Sequence, residues 1–391
     1  MDIGRLLERR MSIMSEVMLN DICELIVDCP HTTAVNEGHG YPLVRTPNIG
    51  KGRLVYNGMH RVSEEVFNKR NFRAVPQEDD LIFAREATAG NVALIQKGEK
   101  VCLGQRTVLL RPNKTLVNPT FLTYFLLAPK QQYNLLCTAN GATVAHVNMS
   151  TIRNLKLELP HLQIQNKIGM IFSRYDSLIE NYQKQIKLLE ESTQRLYKEW
   201  FIDLRFPGHE NTKIVDGVPE WWEKKKVGDV TPIKTGKKDA NFGTNDGPFP
   251  FFTCAQEPIK APSYSFDTNA VILAGNGDFN VKLYRGKFEA YQRTYVLEPI
   301  NDKMLYLLYF CIAENMKRLA IEASGSTIKF ITKGMIENLV INEPSTIVLD
   351  SFNQIIEPIR TQKEKLISQI LHLTEARDRL LPKLMSGEIT V

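Results

Sequence analysis

The sequence predicts a duplicated α/β (α+β) chain. Two globular, strand-rich domains alternate with two long helices that pair as an antiparallel coiled coil, so one polypeptide imitates a pseudo-twofold dimer. Three observations predict this. First, residues 183–201 (QKQIKLLEESTQRLYKEWF) recur at 367–385 (ISQILHLTEARDRLLPKLM). Without a gap, Gln185, Ile186, Leu189, Glu191, Arg195 and Leu196 fall on Gln369, Ile370, Leu373, Glu375, Arg379 and Leu380. That period is too long for a solenoid and fits a duplicated domain with its helix. Second, both copies carry heptads. Third, the strand-rich stretches ahead of them match each other at spaced anchor positions.

In the first helix Ile168, Tyr175, Tyr182, Leu189 and Leu196 recur every seven residues. Phe172, Ile179, Ile186, Thr193 and Trp200 follow four places later, the a and d pattern of a coiled-coil seam. The second helix keeps one apolar set in Phe352, Ile359, Leu366, Leu373 and Leu380. Its other set, Ile356, Lys363, Ile370, Arg377 and Leu384, contains two charges and weakens the seam. Pro358 lacks a donor and predicts a break near Glu357, with the long helix starting at about Ile359. Two separate amphipathic helices are the blander alternative. The seam residues expected are Ile179, Tyr182, Ile186, Leu189, Leu196, Leu366, Ile370, Leu373 and Leu380.

The 391 residues suit two or three domains, and a 43% hydrophobic content can fill sizeable cores. Net charge is only +5, so any nucleic-acid footprint must be local. Cys23, Cys29, Cys102, Cys137, Cys254 and Cys311 form no CxxC. They predict reduced core thiols of a cytoplasmic protein, not disulfides or zinc ligands. No apolar run reaches the roughly 18 residues of a membrane span. The start, MDIGRLLERRMSIM, is too short and polar for a signal peptide; residues 1–16 are a tail or short helix.

Residues 17–160 form the first strand-rich domain. Apolar runs at Tyr41–Arg45, Asp80–Ala84, Val92–Ile95 and Arg106–Leu110 are punctuated by Gly, Pro and Asn. Pro119–Leu127 and Lys130–Cys137 predict helices, 141–143 a Gly-Ala-Thr turn, and Ile152–Leu159 a strand. Residues 161–206 are the first helical region, and 207–221 a linker. Residues 222–344 repeat the first domain, and 345–391 are the second helical region. Asp21 matches Asp229, and Tyr41-Pro42 matches Phe249-Pro250. Gln105-Arg106-Thr107 matches Gln292-Arg293-Thr294, and Gly141, Thr143, Ile152 and Pro160 match Gly325, Thr327, Ile336 and Pro344. The offset shrinks stepwise, so the second copy has shorter loops on the same framework. Loops on a rigid scaffold carry recognition, and this chain should read two different things.

At this point the chain resembles the specificity (S) subunit of Type I restriction–modification systems, over about Val17 to Val391. The run from Leu196 to Glu210 (LYKEWFIDLRFPGHE) carries the resemblance, with Gly217-Val218-Pro219-Glu220 before Trp221-Trp222, and Arg377 to Ile389 (RDRLLPKLMSGEI). Trp221 departs from the family, which usually has Gly there. The resemblance implies two target-recognition domains, each reading one half of a bipartite, asymmetric site in double-stranded DNA. The antiparallel helices would set the unread spacer. It implies two M (methyltransferase) subunits as partners, with S-adenosylmethionine, for adenine N6 methylation. Where the system cleaves, it implies R subunits with ATP and Mg. It implies no cofactor, metal or catalytic centre on this chain.

The residues agree with that expectation. Leu178 to Trp200 spans roughly 35 Å as a helix, close to the roughly 34–36 Å of one duplex turn. Asn118-Pro119-Thr120-Phe121 nearly matches the base-holding element of an amino-methyltransferase, but it lacks the second Pro and opens an apolar helix. Nothing else suggests a pocket for an extruded base. The glycines of 274–278 form neither GxGxxG nor a P-loop.

Base edges and phosphates are read by Arg, Lys, Asn, Gln and hydroxyls. Turn-borne candidates are Arg45, Asn48, Lys51, Arg53, Arg85, His146 and Asn148 in the first domain. Lys234, Lys237, Lys238, Asn276, Lys282 and Lys329 are their counterparts in the second. Each could instead be a solvated loop group. Arg106 and Arg293 sit in the shared Gln-Arg-Thr, and Thr143 and Thr327 in the shared turn; these suit phosphate contact or framework bonds better than base reading. The Lys224-Lys225-Lys226 run is a solvated face or a phosphate contact. Competing readings are a stand-alone restriction or methyltransferase enzyme, and a coiled-coil adaptor that binds protein.

Overall fold

The computed structural model describes residues 14–137, 146–325 and 329–391. The chain divides into two compact units: Met1–Gln183 with Ser368–Val391, and Lys184–Ile367. The division falls inside both long helices, so each unit takes part of each.

In the first unit β1 (Met14–Met18) pairs antiparallel with β9 (Lys156–Pro160). A four-stranded antiparallel sheet has the order β2 (Cys23–Asp28), β8 (Thr107–Pro112), β5 (Leu81–Ala84), β6 (Val92–Leu94). A small sheet joins β4 (His60–Val62), β3 (Tyr41–Val44) and β7 (Cys102–Leu103), with β3 and β7 parallel. Helices α1 (Glu64–Arg70), α2 (Pro119–Leu127), α3 (Pro129–Leu136) and α4 (Met149–Arg153) complete the module. Ile152 therefore belongs to a one-turn helix, and the expected strand begins only at Lys156.

The sheet is buried on both faces. Leu81, Phe83, Val108 and Leu110 pack with Phe121, Leu122 and Phe125 of α2, and with Ile168, Phe172 and Leu384 of the long helices. Ile82, Ala84, Ala93 and Leu109 pack the other way, with Val44, Ile49 and Leu103. Asn118 caps α2, accepting from the Phe121 amide at 2.9 Å with Pro119 behind it. That is the helix-start reading of Asn118-Pro119-Thr120-Phe121. A Cβ on Gly169 would lie 2.7 Å from the Asn118 Oδ1, so only glycine lets this cap sit against the long helix.

In the linker, β10 (Ile214–Val215) and β11 (Val218–Pro219) make a short hairpin that belongs to the second unit. Apart from this hairpin, the second unit repeats the first, with one strand fewer among the described residues. β12 (Glu223–Lys226) pairs with β19 (Val340–Glu343). One sheet has the order β13 (Ile233–Thr235), β18 (Thr294–Leu297), β16 (Phe266–Ala274), β17 (Val281–Ala290), β14 (Phe249–Phe252), β15 (Ile259–Ala261). Long β17 pairs with β16 along most of its length and runs parallel to β14 at its end. It does the work that β6 and β7 share in the first unit, and the shortened connection accounts for part of the shrinking offset. Helices α6 (Val227–Val230), α7 (Leu305–Glu322) and α8 (Lys333–Glu337) follow. Where α7 is continuous, α2 and α3 are separate. Ala313 stands in the place of Pro129, whose ring holds Ala128 at ψ 146° and so ends α2.

The long helices are α5 (Leu162–Tyr197) and α9 (Thr346–Met385). Within the first unit Ile168 and Phe172 share a cluster with Leu380, Leu381 and Leu384, while Asp176 pairs with Arg377. Within the second, Glu190 pairs with Lys363, and Trp200 stacks 5.7 Å from Phe352. In both, advancing along α5 means retreating along α9, so the pairing is antiparallel. Every expected seam residue is buried or half-buried: Ile179 and Leu366 are buried, and Tyr182, Ile186, Leu189, Leu196, Ile370, Leu373 and Leu380 half-buried. The two charges that weakened the second heptad, Lys363 and Arg377, are the residues that pair across it.

The expected break at Pro358 does not occur; α9 runs unbroken through it. Pro358 and Gln354, whose carbonyl loses its bond, are both exposed, so water can take that carbonyl. Phe352 and Ile356 are buried before the proline, and Arg285 grips Glu357 with bonds of 2.8 and 3.0 Å. After α5, a π-helical turn (Lys198–Ile202) turns Trp200 and Phe201 into the second unit's core. Phe201 and Phe206 then lie 5.6 and 4.9 Å from Trp222, which is buried, while Trp221 is exposed.

Candidate nucleic-acid interface

In each module one end of the sheet carries the Gln-Arg-Thr loop before the strand β8 or β18, and the loops that follow the two strands flanking it, β2 and β5 or β13 and β16. Three backbone hydrogen bonds build this end identically. Arg85 N donates to Arg106 O at 3.0 Å, and Gly275 N to Arg293 O at 2.9 Å. Val147 N donates to Arg85 O at 3.0 Å, and Ile331 N to Gly275 O at 2.8 Å. Cys29 N donates to Thr107 O at 3.2 Å, and Gly236 N to Thr294 O at 3.1 Å. The glutamines act alike as well. Gln105 Nε2 donates to His31 O at 2.8 Å, and Gln292 Nε2 to Asp239 Oδ1 at 2.8 Å. Thr107 and Thr294 are fully buried. In both motifs the buried Thr is framework and the arginine is exposed; Gln105 is half-buried, while Gln292 is exposed beside Arg293.

The side chains at matching places differ. In the first module a chain of charged and polar groups crosses the end. His31 Nε2 lies 3.0 Å from Asp28 Oδ2. Arg85 Nη1 donates to both Asp28 oxygens at 3.1 Å, and its Nε to Val147 O at 2.9 Å. Arg85 Nη2 lies 2.9 Å from His146 Nε2, and His146 Nδ1 lies 2.7 Å from Glu86 Oε1. A guanidinium only donates, so Nε2 accepts and the ring proton sits on Nδ1, toward Glu86. Glu86 Oε2 in turn pairs with Arg106 Nη1 at 2.8 Å. In the second module the places of Asp28, Arg85, Glu86 and His146 hold Thr235, Gly275, Asn276 and Phe330. Asn276 and Phe330 meet only as a backbone bridge, and Phe330 is part-exposed.

The structure sorts the expected contact residues. Asn48 is buried; it accepts from Arg45 N and donates to Val55 O, so it builds its own turn and cannot meet a base. Arg45 donates to Gly58 O. Arg53 reaches the helix α5, with Nε 2.6 Å from Glu180 and Nη1 3.4 Å from Asp176. Arg85 is spent on Asp28, and His146 on Glu86. Asn48, Arg53, Arg85 and His146 therefore already have partners within the protein: Asn48 in its own turn, and Arg53, Arg85 and His146 on residues brought to them by the fold. Lys282 is half-buried on Ala255 O and Asn280, and burial lowers its pKa. Lys234 pairs with Glu298 at 2.9 Å but stays half-exposed. Lys238 lies over the Phe242 ring, 4.3 Å from its centre. Asn148 precedes α4 without capping it. Lys51, Lys237, Arg293 and Lys329 are exposed, and their side chains have no partner among the described residues. Thr143 and Thr327, with the 141–143 turn, lie outside the described residues. The Lys224-Lys225-Lys226 run is tied to Asp216 O, Glu343 and Asn338.

Each module is also clamped by a tyrosine, a carboxylate and an arginine. In the first unit Tyr124 donates its hydroxyl to Asp176, and Arg377 and Arg53 flank that carboxylate at 3.1 and 3.4 Å. Burial, then the Asp176 charge, pushes the Tyr124 hydroxyl far above its usual range, so it keeps its proton. In the second unit Tyr306 and Arg285 close on Glu357. Shifted by the repeat, Asp176 falls on Arg360, so the two clamps are built from different positions. Burial pushes the thiols of Cys23, Cys102 and Cys311 up to about 12, 11 and 12, which makes them unreactive. Cys137, unlike the others, is exposed. No group of His, Cys, Asp and Glu among the described residues could hold a metal, and no described helix is long and apolar enough to cross a membrane.

The family described as "Type I restriction modification DNA specificity domain" matches residues 11–191 and 219–370. The Type I restriction enzyme EcoDI specificity subunit of Escherichia coli is 41% identical over 179 residues, which is 44% of this chain and 40% of that one. The Type I restriction enzyme MjaIX specificity subunit of Methanocaldococcus jannaschii is 26% identical over 411 aligned positions, covering 95% of this chain and 93% of that one. A solved Type I restriction–modification S subunit from M. genitalium shares the fold, with a TM-score of 0.57 at 14% identity over 95% of this chain and 96% of that one.

Proposed function

From the premise that this chain belongs to the Type I restriction modification DNA specificity family, we propose that it is the sequence-reading subunit of such a complex, bound to double-stranded DNA. Each module reads one half of a split target, the paired helices fix the unread gap, and the two halves differ in sequence. Two methyltransferase subunits take their direction from it and methylate adenine N6 with S-adenosylmethionine. A restriction subunit, using ATP and Mg, completes the complex where the system cleaves. The chain itself supplies no catalytic step and works in the cytoplasm.

One observation carries this reading: the two modules share the backbone hydrogen bonds that build one end of the sheet and differ in the side chains carried there. A shared framework with unlike tips suits a reader of two unlike half-sites. The exposed Lys51, Lys237, Arg293 and Lys329, with Arg106, Lys234 and Lys238, are the groups proposed to meet DNA. Phosphates dominate such affinity, so binding of the full-length chain to duplex should fall by orders of magnitude from about 50 to 200 mM salt. Salt-insensitive binding, or equal methylation by the methyltransferase subunits with and without this chain, would refute the assignment.

A further inference from the structure

Arg106 and Arg293 occupy the same place in the repeat, yet their surroundings differ. Arg106 has φ +65°, a left-handed backbone that an arginine rarely adopts. Its neighbours hold it there: Gln105 is tied to His31 O and to the Thr33 hydroxyl, and the Thr107 hydroxyl donates to Gly104 O. Its side chain is 58% exposed, but Nη1 is fixed on Glu86, whose side chain is only 17% exposed. Glu86 is fixed by His146, His146 by Arg85, and Arg85 by both oxygens of Asp28. Arg293 is exposed, has no positive φ, and has no carboxylate partner among the described residues.

A contact to phosphate needs charge and tolerates a mobile side chain. A carboxylate beside the arginine cancels part of that charge, so the arrangement around Arg106 is poor for phosphate attraction. It suits direction instead. A surface ion pair of this exposure adds little to stability, but it removes the rotamer freedom of the arginine before any ligand arrives. The remaining guanidinium donors then present a planar fork outward. In a duplex the edge that takes such a fork is guanine, through N7 and O6 in the major groove.

We propose that Arg106, held in place by Glu86, reads a guanine in the half-site of the first module, while Arg293 serves the second module as a sequence-blind phosphate contact. Arg106 touches the base; Glu86, His146, Arg85 and Asp28 are positioning residues. This rests on the reading of the chain as a DNA-recognition subunit.

The test is selection of full-length chain, with the partner subunits it is expressed with, on a randomised duplex pool, plus salt titrations. Wild type should enrich a split site containing a guanine. Arg106→Ala should lose preference at that one base pair by roughly tenfold to a hundredfold, with the other half-site still enriched, which also shows that the variant is folded. Arg106→Lys keeps the charge but not the fork and should lose the same preference. Glu86→Gln should blur that position only. Arg293→Ala should weaken all sequences alike and flatten the salt dependence, by about one phosphate contact. The proposal is overturned if Arg106→Ala weakens all sequences equally, or if Arg106→Lys keeps the full guanine preference. A wild-type chain that enriches no sequence overturns the DNA-reading assignment itself.

Discussion

Asp176→Ala tests how the first module is held. The Asp176 side chain is 1% exposed and receives the Tyr124 hydroxyl, Arg377 at 3.1 Å and Arg53 at 3.4 Å. Removing one member of a buried pair costs about 3–5 kcal/mol, because the rest stay buried and uncompensated. Arg53 keeps Glu180 and Arg377 keeps Asp378, both more exposed carboxylates. The loss therefore belongs at the low end, about 3 kcal/mol. That is about a hundredfold in an opening equilibrium. Tryptophan fluorescence cannot report it, since Trp200, Trp221 and Trp222 all lie in the second unit. Hydrogen exchange resolved by peptide can: α2 and the 52–53 loop should exchange about a hundredfold faster. Tyr124→Phe alone should cost about 1.5–3 kcal/mol, the worth of a bond to a charged group. In the Asp176→Ala background it should cost almost nothing, since its acceptor is gone. Unchanged exchange in Asp176→Ala, or additive losses in the double variant, would refute the clamp.

Other outcomes follow from the same structure. Lys363→Ala should cost under about 1 kcal/mol, since its pair with Glu190 is 33% and 53% exposed; a larger shift in denaturation midpoint would mean that this pair is not a surface pair. Pro358→Ala should raise the second unit's stability by up to about 3 kcal/mol, restoring a helix bond in an exposed position; a lower midpoint by tryptophan fluorescence would contradict it. The Arg285 bonds hold the Glu357 carboxyl below its ordinary pKa. Its stabilisation is therefore full above about pH 4.3 and lost as pH falls through the depressed folded value. Glu357→Gln should flatten acid unfolding in that window, and an unaltered slope would dismiss the carboxylate's part. Inserting two heptads in register into both long helices should lengthen the unread gap and leave both half-sites intact; an unchanged gap would refute the spacing role.

Much of the fold was legible because the duplication repeats its framework. Gln-Arg-Thr, the matched strands and the heptads mark backbone positions, and those recur in the structure. What periodicity could not show was who pairs across the seam. Lys363 and Arg377 read as flaws in a heptad because their partners, Glu190 and Asp176, lie on the other helix. Pro358 read as a break because local propensity ignores the core and the Arg285 grip on either side. The helix at Met149–Arg153 is five residues long, too short for any period. The site was less legible for the same reason. Asn48, Arg53 and Arg85 sit on turns and look free, yet their partners are Val55 O, Glu180 and Asp28, some far off in sequence. The Glu86–Arg106 pair was missed altogether. Its one available signal was a lone acid two residues past a strand, and only the fold brings that acid to the arginine.

The most direct test of the account is to exchange residues 17–160 for those of a relative with a different target and to sequence the methylated motif made by the reconstituted complex. One half-site should change to the relative's, while the other half and the gap remain. A motif altered in both halves would contradict two independent readers on one framework.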